Sequence, residues 1–209
     1  MKVGILSDIH GNMPALISVL DSAKKKGVKR LLLTGDLIGY YYSPRSVISL
    51  LNGWETNAVK GNHEVMLESS INNDSILEEF SRSYGQGIKV ARYELGIEQV
   101  EYLRNLPVRL NLEINGLKIC LCHGAPWSTE EYIYPDSCES TFQRLEKENV
   151  DYLFLGHTHY PMEVKRGGVS VINPGSVGQP RNYEPGAHWA LLDTQIRTVN
   201  FYREDYDIE

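Results

Sequence analysis

Histidine is scarce in this chain and its placement is uneven. Six occur, at His10, His63, His123, His157, His159 and His188. Five of them follow a short strand-like run, in motifs that also carry glycine, aspartate or asparagine. The settings are Ser7-Asp8-Ile9-His10-Gly11-Asn12, Gly61-Asn62-His63-Glu64, His123-Gly124 and Gly156-His157-Thr158-His159. A further apolar run, Arg30 to Thr34, closes in the same manner on Gly35-Asp36. Apolar runs of this length read as buried strands, so imidazole and carboxylate recur at the carboxyl ends of strands. Ligands gather at such ends in open α/β sheets.

The segments between these ends read as helices in the first half of the chain. Asn12 is placed to cap a helix with Pro14 in its first turn and Leu16, Ile17, Val19 and Leu20 on its inner side, stopping near Gly27. Pro44 opens a second helix. Residues 66–105 carry no strand-like run and read as two or three helices, with Leu77, Phe80 and Tyr84 on one stripe and Val100, Leu103 and Leu106 on another. They form a helical insertion or lid on a single domain spanning 1–209. That block either closes over substrate or packs against a second copy of the chain, in a homo-oligomer.

The second half changes character. Val108 to Ile114 alternates with period two, Asn115-Gly116 is a hairpin turn, and Leu117 to Cys122 returns. A helix over about 137–148 leads to the run ending at Leu155. Gly167-Gly168 turns another hairpin, and His188–Leu192 with Ile196–Tyr202 reads as an edge hairpin. Helix-covered parallel strands followed by an antiparallel, hairpin-rich sheet predict two sheets stacked face to face with helices outside.

Composition narrows the function. Twenty-one basic against 27 acidic residues give a net charge of −6, which disfavours duplex nucleic acid as a partner. The one dense basic run, Lys24-Lys25-Lys26, reads as a solvated helix end. No apolar stretch approaches the roughly 18 residues needed to cross a bilayer, and no signal-peptide pattern opens the sequence. Three cysteines make no disulfide scaffold; Cys120 and Cys122 read as core residues on one strand face. The expectation is a soluble cytoplasmic protein that does not engage membranes.

Mixed imidazole and carboxylate donors suit borderline divalent ions such as Mn²⁺, Fe²⁺, Ni²⁺ or Zn²⁺. An all-carboxylate set would have favoured Mg²⁺ or Ca²⁺, and an all-thiolate set structural zinc. Cations held by these residues would draw a phosphate to an otherwise acidic protein.

Asp8-x-His10, Gly35-Asp36, Gly61-Asn62-His63-Glu64, His123 and Gly156-His157-x-His159 together resemble the signature of the calcineurin-like metallophosphoesterase superfamily. Gly39-Tyr40 and Asn173-Pro174-Gly175-Ser176 are similar to its compact bacterial and archaeal phosphodiesterase branch. The resemblance implies a four-layer α/β/β/α sandwich of two stacked mixed β-sheets flanked by helices. It implies two divalent transition-metal ions per chain, manganese favoured. Asp8, His10 and His159 would hold one ion, Asn62, His123 and His157 the other, and Asp36 both. It further implies a phosphoesterase, above all a phosphodiesterase, hydrolysing small phosphate esters or nucleotides by attack of a hydroxide held between the ions. His63 would be the general acid, oriented by Asp8 or Glu64, and Asn62 would also touch substrate. The alternative is a protein-interaction scaffold with the same fold and a dormant site.

Two weaker signals accompany this set. Arg181, just after the Asn-Pro-Gly-Ser turn, is either a phosphate-binding residue or an ordinary surface arginine. Tyr40-Tyr41-Tyr42 and Trp127, Tyr132 and Tyr134 follow ligand motifs and either wall a groove or pack their own loops.

Overall fold

A computed structural model describes residues 1–207. Two five-stranded sheets are stacked face to face. The chain runs β1 (Lys2–Leu6), α1 (Met13–Lys25), β2 (Arg30–Leu33), α2 (Pro44–Leu51), β3 (Glu55–Ala58), α3 (Asn62–Ser70), α4 (Asp74–Tyr84), α5 (Gly87–Glu94), α6 (Ile97–Arg104), β4 (Arg109–Ile114), β5 (Leu117–Cys122), α7 (Glu139–Glu146), β6 (Tyr152–Phe154), β7 (Met162–Arg166), β8 (Val169–Asn173), β9 (Ala187–Asp193) and β10 (Thr198–Glu204). The first sheet has the order β10-β9-β1-β2-β3 and the second β4-β5-β6-β8-β7.

The period-two geometry of strands builds the layers. In β1, Val3 and Ile5 face the second sheet and pack with Leu32, Ala190 and Leu192 against Ile119, Leu121, Phe154 and Ile172. Leu6 points the other way, into a cluster with α1, α2 and α3–α6. Gly4 shares that outer face because a Cβ there would crowd Leu31 and Val28. On the far side of the second sheet, Cys120, Cys122, Leu153 and Val171 pack under Phe142 and Leu145 of α7. The α/β/β/α sandwich expected from the resemblance is therefore present.

Local signals explain the helix ends. The Asn12 side chain accepts the Ala15 N–H at 3.2 Å with Pro14 in the first turn, and Lys24 and Lys25 lie at the carboxyl end of α1. Asn73 caps α4 in the same way through Ile76 N–H.

Two sequence expectations need correction. The second sheet is not dominated by hairpins, since β5, β6 and β8 run parallel at its centre. The run Tyr152–Phe154 is buried on both faces, as a parallel central strand must be. The last hairpin is also not wholly at an edge. β10 is the edge strand, whereas β9 is interior, antiparallel to β1, and lies in the first sheet. Its pattern says so in retrospect, because Ala187 to Leu192 is buried without interruption.

Within residues 66–105, α4, α5 and α6 share the apolar cluster of α1 and α2 through Leu77, Ile88, Ala91, Leu95 and Leu103. Gly87 abuts the Gly39 carbonyl, where any side chain would overlap it. No helix among the described residues is long and apolar enough to cross a membrane.

Phe154 is fully buried between the sheets. Phe154→Ala should cost about 3–5 kcal/mol of stability, read as a lowered urea midpoint with an unchanged slope. Ile196→Ala, at a site 68% exposed in the β9–β10 turn, should stay within about 0.5 kcal/mol.

Candidate metal centre

The carboxyl ends of both sheets meet at one edge. Asp8 and His10 follow β1, Asp36 follows β2, Asn62 and His63 begin α3 after β3, His123 follows β5, and His157 and His159 follow β6. Hydrogen bonds tie the two sets of loops together. Thr34 Oγ1 donates to the Leu155 carbonyl at 3.1 Å, His123 Nδ1 meets the Thr34 carbonyl at 2.7 Å, and the His157 N–H donates to the Asp8 carboxylate at 3.1 Å. Within the first sheet, Asp8 N–H donates to Gly35 O and His10 N–H to Asp36 O.

The backbone is strained where these residues stand. Asp8, His10, Asp36, His157 and His159 all hold φ between 53° and 68°. Non-glycine residues in this left-handed region cost about 1–3 kcal/mol each unless their surroundings over-determine them. The cross-links just described supply that constraint.

The donor atoms converge. Asp8, His10 and His159 form one group, Asp8, Asp36 and His123 a second, and His10, Asp36 and His63 a third, with donor atoms inside each group within 4.8 Å of one another. Asp8 and His10 are thus shared between groups, as Asp36 is. His123 Nε2 lies 3.3 Å from Asp36 Oδ2 and 3.0 Å from Asn62 Oδ1. His157 stands just outside the groups, its ring 5.1 Å from that of His123 and its Nε2 buried without a partner.

Three carbonyls aim the imidazoles. His10 Nδ1 faces Ile38 O at 3.2 Å, His123 Nδ1 faces Thr34 O, and His159 Nδ1 faces Gln179 O at 2.6 Å. A proton on each Nδ1 leaves the Nε2 lone pair pointing inward. His10 Nε2 and His159 Nε2 then oppose each other at 3.0 Å, an arrangement relieved by a cation between them. This donor set fits two closely spaced divalent ions.

The electrostatics agree. Burial pushes the Asp8 carboxyl upward, but His159 and His123 outweigh it and hold the group well below the carboxylate range. Burial likewise opposes ionisation of Asp36, and His123 and His63 reverse it. His10 is driven well below its ordinary value by burial despite Asp36, and His157 is lowered to about 4 by burial and His123. His123 goes the other way, to about 10, because Asp36 and Asp8 overcome its burial. Asp8 and Asp36 thus stay ionised through the imidazoles around them.

Glu64, one of two residues expected to orient the His63 ring, has a different task. It makes no hydrogen bond with the His63 ring among the described residues. Its carboxylate accepts the N–H groups of Asp36 at 2.9 Å, Leu37 at 2.9 Å, Ile38 at 3.3 Å and Gly61 at 2.8 Å. It thereby clamps the Asp36 loop to the start of α3. Burial and the neighbouring Asp36 charge push Glu64 to about 7, while the amide donors pull it down. A glutamate three residues after Gly61 matches the N3 position of a capping box, and that spacing was the available signal.

The other expected residues fall around a cleft of about 160 Å³ over the centre, lined by Asp36, Tyr40, Asn62, His63, Met66, Tyr84, Glu130, Tyr132, His157, His159 and Arg181. His63 Nδ1 is buried beneath Gly39, and His63 Nε2 lies 3.9 Å from Asp36 Oδ2. Arg181 donates to the Tyr40 hydroxyl at 3.2 Å and to Gln179 Oε1. Tyr41, Tyr42, Trp127 and Tyr134 do not line the cleft; Trp127 instead carries Arg144 on its ring at 3.7 Å. Tyr84 was read only as part of a helix stripe and Glu130 not at all, because nothing adjacent to them marks a strand end. The Asn173–Ser176 turn braces the site, with Ser176 Oγ donating to Asp8 O at 2.7 Å and Asn173 Nδ2 to Gly156 O at 2.6 Å. His188 lies on β9 with Nε2 against Glu184 O and takes no part.

Comparison with known proteins agrees with this geometry. Residues 1–197 match the model of the calcineurin-like phosphoesterase superfamily domain. The chain is 28% identical to protein MJ0912 of Methanocaldococcus jannaschii, over 99% of this chain and 88% of that one. It is 26% identical to phosphodiesterase YfcE of Escherichia coli K12, over 95% and 91% of the two chains. A crystal structure of a metallophosphoesterase from Sphaerobacter thermophilus superposes with a TM-score of 0.81 at 27% identity, covering 100% of this chain and 90% of that one.

Glu64→Ala would leave four buried amides without an acceptor. The expected loss is at least about 3 kcal/mol, together with weaker Mn²⁺ binding in a titration of the folded variant. Glu64→Gln, which keeps one acceptor oxygen, should fall between. Unchanged stability and unchanged Mn²⁺ affinity in Glu64→Ala would refute the clamp.

Proposed function

The chain belongs to the calcineurin-like phosphoesterase superfamily, and from that membership we propose that this metal-dependent phosphoesterase is a phosphodiesterase acting on small phosphate esters, nucleotides among them. The observation that carries the reading is the overlap of the Asp8·His10·His159 and Asp8·Asp36·His123 groups at the floor of an open cleft. A diester carries one negative charge and a monoester up to two. Among the described residues, Arg181 is the one basic side chain other than histidine lining the cleft, which favours the singly charged substrate. The similar Escherichia coli protein YfcE is named a phosphodiesterase, which supports the same reading.

Asp8, His10 and His159 would hold one ion, Asn62, His123 and His157 the other, and Asp36 would serve both. When bound, the ions supply Lewis-acid charge to the phosphoryl oxygens and a water acidified to near neutral pH. Manganese is favoured because carboxylate and amide oxygens stand beside the imidazoles. A cytoplasmic setting suits the three cysteines, all of them free thiols.

His63 is the general acid. Its N–H donates to Asp36 Oδ1 at 2.9 Å, which fixes the backbone, and its ring lines the cleft. With Nδ1 buried, Nε2 is the nitrogen that gives its proton to the departing oxygen. Burial holds the imidazole below its ordinary value and Asp36 offsets this only in part; an arriving phosphate anion adds to the Asp36 side. Asp8 acts on His63 only through its field, because its oxygens engage Ser7 Oγ, His157 N–H and the His159 ring. Asn62 reaches the cleft from the first turn of α3 and orients a phosphoryl oxygen, and Arg181 neutralises another. Met66 and Tyr84 make the helical block a wall of the cleft. The complete donor set and His63 count against a dormant scaffold.

Protein stripped with a chelator should lose turnover of bis(p-nitrophenyl) phosphate and regain it with Mn²⁺, at two ions per chain by elemental analysis. The diester should exceed p-nitrophenyl phosphate in kcat/KM; the reverse order would overturn the diesterase assignment. His63→Ala should keep two ions per chain and lose about 10²–10⁴-fold in turnover of an alkyl diester, with a smaller loss on the p-nitrophenyl ester. Loss of the ions in that variant would make His63 a ligand instead.

A further inference from the structure

The two rims of the cleft differ in chemistry. On one, the Arg181 guanidinium holds the Tyr40 hydroxyl and Gln179 Oε1, with no carboxylate paired to it among the described residues. On the other stands Glu130, whose carboxylate pairs with no cation among those residues. Beside it, Tyr132 packs against the His157 ring with centroids 4.1 Å apart and keeps 51% of its surface exposed. Tyr84 also lines the cleft, its ring 5.8 Å from that of His63, and is 38% exposed.

A phosphate ester with no aromatic part explains Arg181 and leaves the rest unused. It would also approach an unpaired carboxylate, which repels it. A planar heteroaromatic ring bearing an amine reverses both objections. Exposed tyrosine faces stack bases of any sequence, and a carboxylate accepts the exocyclic amine of adenine or cytosine but has no donor to accept from at thymine O4.

We propose that the substrate is a nucleoside-bearing phosphate ester with an amino base, its phosphoryl group toward Arg181, its base on Tyr132 and its exocyclic amine toward Glu130. This rests on the phosphoesterase reading above. Tyr132 and Glu130 are then specificity-determining residues and take no part in bond cleavage.

Three esters with one leaving group test it on the Mn²⁺-loaded protein: the p-nitrophenyl esters of adenosine 5′-phosphate, thymidine 5′-phosphate and ethyl phosphate. The adenosine ester should lead the ethyl ester in kcat/KM by at least about tenfold, most of it in KM, and should also lead the thymidine ester. Tyr132→Ala should collapse the adenosine-to-ethyl ratio toward one, Tyr132→Phe should retain it, and Glu130→Ala should remove the preference for adenosine over thymidine. Calorimetry should find tighter binding of adenosine 5′-phosphate than of ribose 5-phosphate, lost in Tyr132→Ala. Equal kcat/KM for hydrolysed adenosine and ethyl esters would overturn the inference and leave the phosphoesterase intact. No turnover of any ester by protein holding two ions would overturn both.

Discussion

Everything at the centre depends on the two sheets being locked together at their carboxyl ends. The lock is polar and buried. The Asp8 carboxylate of the first sheet accepts the His157 N–H of the second, Thr34 Oγ1 reaches Leu155 O, and the His123 ring returns to Thr34 O. Apolar packing of Val3, Ile5 and Leu32 against Leu121, Phe154 and Ile172 brings the sheets into contact. It is not directional, and it would tolerate sliding by a fraction of a residue. The hydrogen bonds do not tolerate it, so they convert stacking into a fixed register of donor atoms.

That register is stored as backbone strain and relieved through small residues. Five donor positions sit at positive φ, which turns each side chain inward immediately after its strand. The neighbouring glycines make room. A Cβ on Gly35 would collide with Gly61 and the His123 ring, and one on Gly39 would strike the rings of His10 and His63. Glu64 completes the arrangement by gathering the amides of the Asp36 loop. The aspartates and histidines are therefore held before any ligand arrives, which lowers the ordering cost of binding.

Much of this was legible in the residues. Strand ends carrying histidine and aspartate were read directly, because a continuous apolar run such as Arg30 to Thr34 suits a buried parallel strand and Gly35-Asp36 closes it. The stacked sheets followed from the same runs. Sheet membership of β9 was not legible, since a hairpin reads alike in either sheet and only the unbroken burial of Ala187–Leu192 marks it as interior. The role of Glu64 was missed because a carboxylate beside a histidine suggests a partner for that histidine, whereas the N3 geometry of α3 turns it toward backbone. Tyr84 and Glu130 reach the cleft from α4 and from the loop after β5, and no local spacing announces a meeting between segments so distant in the chain.

Charge explains why one set of residues serves both the centre and its substrate. The chain is acidic overall, and the cleft floor presents the Asp36 carboxylate with that of Asp8 behind it. A phosphate approaching that floor alone would be repelled, and Arg181 at the rim is too exposed to offset two buried carboxylates. The same two carboxylates raise His123 to about 10, so the site draws positive charge inward even at a residue that burial would keep neutral. His10 and His159 oppose their Nε2 atoms for the same reason: the floor is built around cations. Cations held there would reverse the sign of the cleft locally, and a phosphate anion would then be attracted to it.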